Sequence, residues 1–467
     1  MTKRRKARNI EELKASGYKP ISVKEEMRCN LIAMIKRRKD IFPGIIGYDD
    51  TVIPQIENAI ISGQDIIFLG ERGQAKSRIM RSLVCLLDKE IPIIKGCEIN
   101  DNPFAPICKQ CRDKLAEEGD ATEIAWVPRQ ERYGEKLATP DIAIADLVGD
   151  VDPIKVAEGK YLSDELTIHY GLIPRTNRGI FCINELPDLA ERLQVGLFNL
   201  MEERDIQIRG YRIRLPLDIF LVASANPEDY TNRGRIITPL KDRFGAQVRT
   251  HYPTTIEDEV AIMEMERRQF SEDEIESYTP QYMKEIIAEV THLGRKSPDI
   301  NQHSGVSVRV SIDNYETILS NAIRRAVTLG EKSAVPRISD LPYIYSSTGS
   351  KIELEGFEET REGKVIDDLI RKAVLNVFNR YYKLPDLQAL VDQFTEGFSA
   401  EVSDMMRAKS YVRNVKEIPG LAEAISMLTE SERPEVIASA TEFILEGLHV
   451  NKRLNKTKSE GKTIYRH

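Results

Sequence analysis

Between Asp65 and Ser77 the chain reads Asp-Ile-Ile-Phe-Leu-Gly-Glu-Arg-Gly-Gln-Ala-Lys-Ser. A short apolar run enters a glycine-containing loop, and Lys-Ser opens a helical stretch reaching about Leu87. Strand, loop and helix in that order suit a polyphosphate, because loop N–H groups and the helix N-terminus present positive potential. Gly70, Gly73, Gln74, Ala75, Lys76 and Ser77 are therefore the expected nucleotide-binding residues. Lys76 would reach the β/γ-phosphates of ATP, and the Ser77 hydroxyl would ligate Mg²⁺. The pattern G-x-x-x-x-G-K-[ST] is met at Gly70, Lys76 and Ser77 and broken at position 75, where Ala replaces Gly. Alanine is the smallest substitute and fits if its φ is negative.

A second candidate constellation lies at Gly179-Ile-Phe-Cys-Ile-Asn-Glu-Leu, which resembles a Walker B strand. Glu185 stands where a carboxylate polarises the attacking water. Asn184 stands where Asp normally helps hold Mg²⁺. Asparagine keeps an oxygen acceptor but removes a negative charge. That change bears on metal affinity and turnover more than on nucleotide binding.

These residues need strands to carry them. Apolar runs at Asp65–Leu69, Ile91–Ile94, Gly179–Ile183, Asp218–Ala223 and Gln247–Thr250 alternate with helical patterns. Continuous apolar runs between helices predict a parallel sheet covered on both faces, a three-layer α/β domain. Beyond residue 256 the strand signals fade. Helices are expected at 257–270, 280–293, 308–329, 361–381, 385–398, 417–429 and 433–448, with apolar residues at helical spacing. The organisation read from this is a basic N-terminal extension (1–41), a nucleotide-binding core (42–256), a helical lid (257–335) and a helical C-terminal extension (336–467).

With both motifs in place, the sequence resembles an AAA+ ATPase of the group containing the magnesium-chelatase I subunit and the MoxR proteins. Leu137-Ala-Thr-Pro, Asp146-Leu-Val-Gly-Asp-Val-Asp-Pro-Ile-Lys and Gly171-Leu-Ile-Pro-Arg-Thr-Asn-Arg are similar to the chelatase segments that lead to Walker B. Glu202 to Pro216 reads as a β-hairpin turning at Arg209-Gly210, in the place where this superclade carries one. The resemblance covers about residues 42–330. It implies an AAA+ three-layer αβα P-loop core with a parallel sheet, followed by an α-helical lid. It implies that Asn226, in Ser-Ala-Asn-Pro, is sensor 1 and positions the attacking water. It implies that Arg243, in Leu-Lys-Asp-Arg-Phe-Gly, is an arginine finger reaching the γ-phosphate of a neighbouring subunit. A permanently charged, bidentate guanidinium suits that task. Arg309, in Gly-Val-Ser-Val-Arg, matches sensor 2, and Ile45-Ile46-Gly47 resembles the segment touching adenine. A finger acting in trans implies a homo-oligomeric ring, as in hexameric relatives, often working with a von Willebrand A-domain partner. Tyr161, His169 and Tyr170 lie in the insert before Walker B; the tyrosines are expected to pack it rather than grip a client.

Composition bounds these readings. The 467 residues are 41% hydrophobic and 30% charged, an ordinary globular balance. No apolar run approaches the length of a membrane span, and the basic N-terminus has no apolar segment behind it. With six Cys, this predicts a reducing, cytoplasmic setting. The formal charge of −7 conceals a basic start (+8 over 1–40), a basic end (+5 over 451–467) and an acidic body. The ends read as solvated tails; an electrostatic contact with nucleic acid or an acidic partner is the alternative. Cys97, Cys108 and Cys111 form C-x₁₀-C-x₂-C, but no fourth Cys or His lies nearby, so they read as reduced structural thiols, with a partial or shared zinc site as the alternative. Trp126 reads as a packing anchor. Neither a metal-hydrolase His pair nor a G-x-S-x-G nucleophile is present.

The functional expectation is an ATP-hydrolysing ring motor or chaperone that remodels a partner protein complex or drives metal insertion. Three alternatives stay open: magnesium chelatase proper, a nucleic-acid-acting motor or transcription-linked ATPase (from Arg209, Arg212, Arg214 and the basic ends), and a weakly hydrolysing nucleotide-dependent scaffold.

Overall fold

In the computed structural model, four of the five apolar runs become parallel neighbours. Residues 6–152, 154, 157, 165–203, 215–226, 235–269, 275–302, 305–354, 362–459 and 461–467 are described. The hairpin turning at Arg209-Gly210, with Arg212 and Arg214, and Tyr161 of the insert lie outside them. The chain divides into two compact units, Met1–His251 and Tyr252–His467.

In the first unit the strands are β1 (Ile66–Leu69), β2 (Glu90–Ile94), β3 (Ile124–Pro128), β4 (Tyr133–Leu137), β5 (Gly149–Val151), β6 (Ile168–Tyr170), β7 (Gly179–Asn184), β8 (Ile219–Ala225) and β9 (Ala246–Arg249). Five of them form one sheet in the order β4-β7-β8-β1-β9, with every neighbouring pair parallel. Side chains alternate across a strand, so an all-apolar strand must be covered twice. Ile66, Phe68, Ile180, Cys182, Phe220, Val222 and Val248 point into one core, shared with helices Val23–Lys36, Val52–Ile61 and Lys76–Ser82. Ile67, Phe181, Ile183, Leu221 and Ala223 point into the other, shared with Leu193 and Leu197 of helix Glu191–Glu203 and Leu240 of helix Thr238–Arg243. The result is the αβα, P-loop type of core.

Two strands depart from the sequence expectation. Ile91–Ile94 does not join the main sheet; β2 pairs antiparallel with β3 in a separate ribbon. The fifth strand of the sheet is instead β4, Tyr-Gly-Glu-Lys-Leu, an edge strand too polar to show as an apolar run. Edge position explains this, because only one side of β4 pairs and Glu135 and Lys136 stay half exposed.

The segment before residue 42 is built into this unit. Val23, Met27 and Leu31 are core residues. Glu26, on the same helix, makes a buried bidentate pair with Arg132 at 2.6 and 2.8 Å, and Arg132 also donates to the carbonyl of Arg178. Trp126 donates its indole N–H to the Ala7 carbonyl at 3.0 Å, so it does anchor packing. Tyr170 is buried in the second core while His169 is exposed.

The second unit is mainly helical, with one core running from Val260 to Tyr465 through both the 257–335 and 336–467 segments. Its principal helices are Ile256–Glu266, Gln281–Gly294, Val308–Leu329, Glu362–Tyr381 and Pro434–Val450. Helix Ala408–Glu417 was not legible in the sequence, nor was a three-stranded antiparallel sheet of 400–402, 455–459 and 462–466. The basic C-terminal stretch is therefore no loose tail. It forms a hairpin with Tyr465 buried, Lys456 paired to Glu446 at 2.6 Å and Lys462 to Glu401 at 3.0 Å. No helix among the described residues is long and apolar enough to cross a membrane.

Candidate nucleotide-binding site

The site gathers at the C-terminal ends of β1, β7 and β8, where the parallel strands stop and their following segments diverge. Leu69 leads into Gly70, whose lack of a side chain is required: a Cβ there would lie 2.0 Å from Thr250 Oγ1 and 2.2 Å from Gln74 Oε1. Those two groups are themselves joined, Thr250 Oγ1 donating to Gln74 Oε1 at 2.7 Å. The Tyr48 hydroxyl lies 3.1 Å from the Gln74 carbonyl and 2.6 Å from that of His251, which ties the loop to the end of β9. Sequence reasoning missed Tyr48, Thr250 and His251, which have no motif signature.

Gly73 (φ 77°) and Ala75 (φ 56°) are left-handed, while Gln74 between them is not. Such alternation curls successive N–H groups toward one point, an anion-binding concavity. The sequence expectation of negative φ at Ala75 is corrected: the loop keeps the glycine-type conformation and alanine bears it. Left-handed alanine costs about 1–2 kcal/mol, and glycine's greater unfolded-state freedom offsets about 0.5–1 of that. Ala75→Gly should therefore stabilise the protein by about 0.5–1 kcal/mol in urea denaturation. A loss of stability would show that the strain assignment is wrong.

Lys76, which opens helix Lys76–Ser82, is buried. Its Nζ donates to the carbonyls of Gly70 and Glu71 and, at 2.7 Å, to Asn226 Oδ1. Asn226 follows β8 and donates its Nδ2 to Glu185 Oε2. Glu185 follows β7 with φ 57° and donates its backbone N–H to Ser224 Oγ at 3.2 Å. Lys76, Asn226 and Glu185 thus form one hydrogen-bonded line across three strand ends. Ala75 and Glu185 are two of the six non-glycine residues with positive φ among the described residues, so backbone strain is partly concentrated here.

A second line runs beside it. Ser77 Oγ donates to Asn184 Oδ1 at 3.4 Å, and Asn184 Nδ2 donates to Glu135 Oε1 at 2.6 Å. Glu135 is reached because β4 is the parallel neighbour of β7, with Leu137 beside Asn184 and Glu135 beside Cys182. Arg81 grips the same carboxylate twice, at 2.8 Å each, and the Tyr133 hydroxyl adds a bond at 3.0 Å. Arg81 above all holds the Glu135 carboxyl below its ordinary pKa, so it is ionised at neutral pH. Ser77, Asn184 and Glu135 bring together hard oxygen donors of the kind Mg²⁺ takes. Glu135 was missed because it sits in no motif and 49 residues before Asn184.

The remaining expected residues lie apart from these lines. Ile46 and Gly47 are half-buried, and Ile45 packs against the first core. Arg243 ends helix Thr238–Arg243, pairs with Glu202 at 2.5 Å and sits 5.4 Å from the Phe198 ring centroid. Arg309 belongs to the second unit, exposed on the first turn of helix Val308–Leu329.

No protein-family model matches this chain. A magnesium-chelatase subunit ChlI homolog of Methanocaldococcus jannaschii is 28% identical over 232 residues, 48% of this chain and 58% of that protein. The chloroplastic magnesium-chelatase subunit ChlI-2 of Arabidopsis thaliana is 30% identical over 238 residues, 49% of this chain and 52% of its own length. The chain thus spans about half the length of the curated relatives it matches. Among solved structures, a cryo-EM-based model of the BchI–BchD complex of magnesium chelatase aligns with TM-score 0.35 and 19% identity, over 69% of this chain and 98% of that one. That value is too low to argue from. By these sequence relatives the chain, with its P-loop and five-stranded parallel sheet, is similar to the magnesium-chelatase I subunit.

Proposed function

We propose that the protein binds ATP with Mg²⁺, hydrolyses it, and uses the cycle as a ring of like subunits to remodel a partner protein complex. The observation that carries this is the Lys76–Asn226–Glu185 line at the strand ends. In it the phosphate-loop cation, a polar positioning group and a carboxylate are already in mutual reach. Lys76 is satisfied by loop carbonyls, and a γ-phosphate offers the same donors a charged acceptor, a stronger partner. Asn226 orients Glu185, whose carboxylate positions the attacking water and takes its proton. Ser77 and Asn184, with Glu135 behind them, hold Mg²⁺. Mg²⁺ bound with the nucleotide supplies charge neutralisation at the β- and γ-phosphates. Gly70, Gly73, Gln74 and Ala75 cradle the phosphates, and Ile46 and Gly47 flank the base. Arg243 and Arg309 are the cations assigned to the γ-phosphate, Arg243 from the neighbouring subunit. Its pair with Glu202 is half exposed, so releasing it costs at most about 1 kcal/mol.

The partner is proposed to be a protein complex with a von Willebrand A-domain component, with metal insertion as one form the work could take. A nucleic-acid motor is less favoured. Two lysines of the basic C-terminal segment already serve acidic side chains of their own unit.

The ring is tested by mixing two inactive proteins, Lys76→Ala and Arg243→Ala. Random assembly pairs an intact Lys76 with an intact Arg243 at about a quarter of interfaces. ATP turnover by the mixture should rise above that of either protein alone. No recovery would remove the shared site.

A further inference from the structure

Cys97, Cys108 and Cys111 lack a fourth Cys or His in the sequence, but the fold supplies a different partner. Asp101, three residues after Glu98, is fully buried. One ligand atom from each of Cys97, Asp101, Cys108 and Cys111 lies within 4.8 Å of all the others. We propose that these four residues bind a single zinc ion in a closed, structural Cys₃Asp site.

Four observations carry it. The first is spacing. At about 2.3 Å per Zn–S bond, ligands of a tetrahedral ion stand about 3.8 Å apart. A cluster confined within 4.8 Å fits one ion after slight contraction and is tight for a multi-iron cluster. The second is an orphaned acceptor. Asp101 Oδ2 accepts the Cys108 N–H at 3.0 Å, but Oδ1 is buried with no hydrogen-bond partner. A buried carboxylate oxygen left unpaired is costly, and a cation at the centre of the four groups removes that cost. The third is how the sulfurs are held. Cys97 Sγ accepts N–H groups from Ile99 (3.4 Å) and Asp101 (3.3 Å), and Cys108 Sγ accepts that of Cys111 (3.4 Å). N–H groups aimed at sulfur favour thiolates, the form a metal requires. Cys108 caps helix Lys109–Glu118 and Cys111 lies in its first turn, where the helix dipole adds to this preference. The fourth is donor chemistry. Three soft thiolates and one carboxylate suit zinc, whereas magnesium or calcium would take oxygen alone.

With all four positions filled by the protein, the ion has no open place for substrate and serves structure. It pins the connection from β2 to helix Lys109–Glu118 against Ile142, Leu147, Ile168 and Ile173, the base of the β5–β6 insert. Around it, Glu165 receives the Lys109 N–H at 2.7 Å and Arg112 at 2.9 Å, steadying the helix that carries Cys111.

The test uses the full chain purified without added metal. Elemental analysis should find about one zinc per chain. Protein stripped by a chelator and given Co²⁺ should show thiolate-to-cobalt charge transfer and the intense visible absorption of tetrahedral cobalt. Asp101→Asn should weaken cobalt binding while keeping the charge-transfer band. The pair Cys97→Ser, Cys111→Ser should abolish both zinc and band. Lys76→Ala, which leaves these residues intact, should keep both. If the Cys variants do not fold, thiol titration of the wild-type chain decides: zinc should protect three of the six cysteines from a thiol reagent. Zinc far below one per chain with no cobalt band, or zinc retained by a folded double Cys variant, overturns the site. So does equal thiol reactivity with and without metal.

Discussion

Glu185→Gln should lower ATP turnover by roughly 10²–10⁴-fold, the range for losing a positioned general base. Nucleotide affinity should be unchanged. Glutamine matches the shape of glutamate and keeps an oxygen to accept the Asn226 amide, so the line from Lys76 stays connected. What it loses is the negative charge and the capacity to take a proton from water. Equilibrium binding of a fluorescent ATP analogue, with single-turnover hydrolysis of ATP, separates the two effects. Turnover within a few-fold of wild type would mean that Glu185 is not the base. Weakened binding would mean that it acts by holding the loop instead. The variant that binds without hydrolysing is also the form suited to capturing the partner complex.

The second large effect concerns Glu135. Asn184 removes a charge from the place where the Walker B pattern has Asp, yet its amide is bonded to a carboxylate on the adjacent strand. Removing a group behind metal ligands typically costs 10–100-fold in metal affinity. Glu135→Gln should therefore raise the Mg²⁺ concentration needed for tight nucleotide binding by roughly that factor. Metal-free nucleotide binding should be unaltered. A carboxylate restored next door, Asn184→Asp in the Glu135→Gln background, should recover most of the loss. Mn²⁺ titration followed by electron paramagnetic resonance reads metal binding without turnover. An unchanged Mg²⁺ requirement in Glu135→Gln would show that Glu135 only anchors Arg81.

Motif order made the nucleotide loop and Glu185 legible in advance, because each motif joins a strand pattern to an adjacent polar group, and the family resemblance pointed to Asn226. Lys76 and Ser77 follow β1 across the loop 70–75, Asn184 ends β7 with Glu185 next, and Asn226 follows β8. Parallel strands align their C-terminal ends, so residues at those ends must converge. The conformation of Ala75 was not legible, since residue type alone left φ open and the loop's closure imposed the left-handed value. Nor was the basic C-terminus: a run of lysines does not reveal that Glu446 and Glu401 await two of them.

The sequence by itself determined the P-loop core, the alternation of buried strands and helices, and the ordered set of polar residues at strand ends. All of these are local patterns or short-range pairings of motif with element. Only the tertiary structure decided that β4 joins the sheet beside β7 while β2 leaves it, which sets Glu135 against Asn184. Only it decided that Asp101 stands among Cys97, Cys108 and Cys111. Both are meetings whose register and burial depend on strand order and loop closure, and no spacing along the chain encodes either.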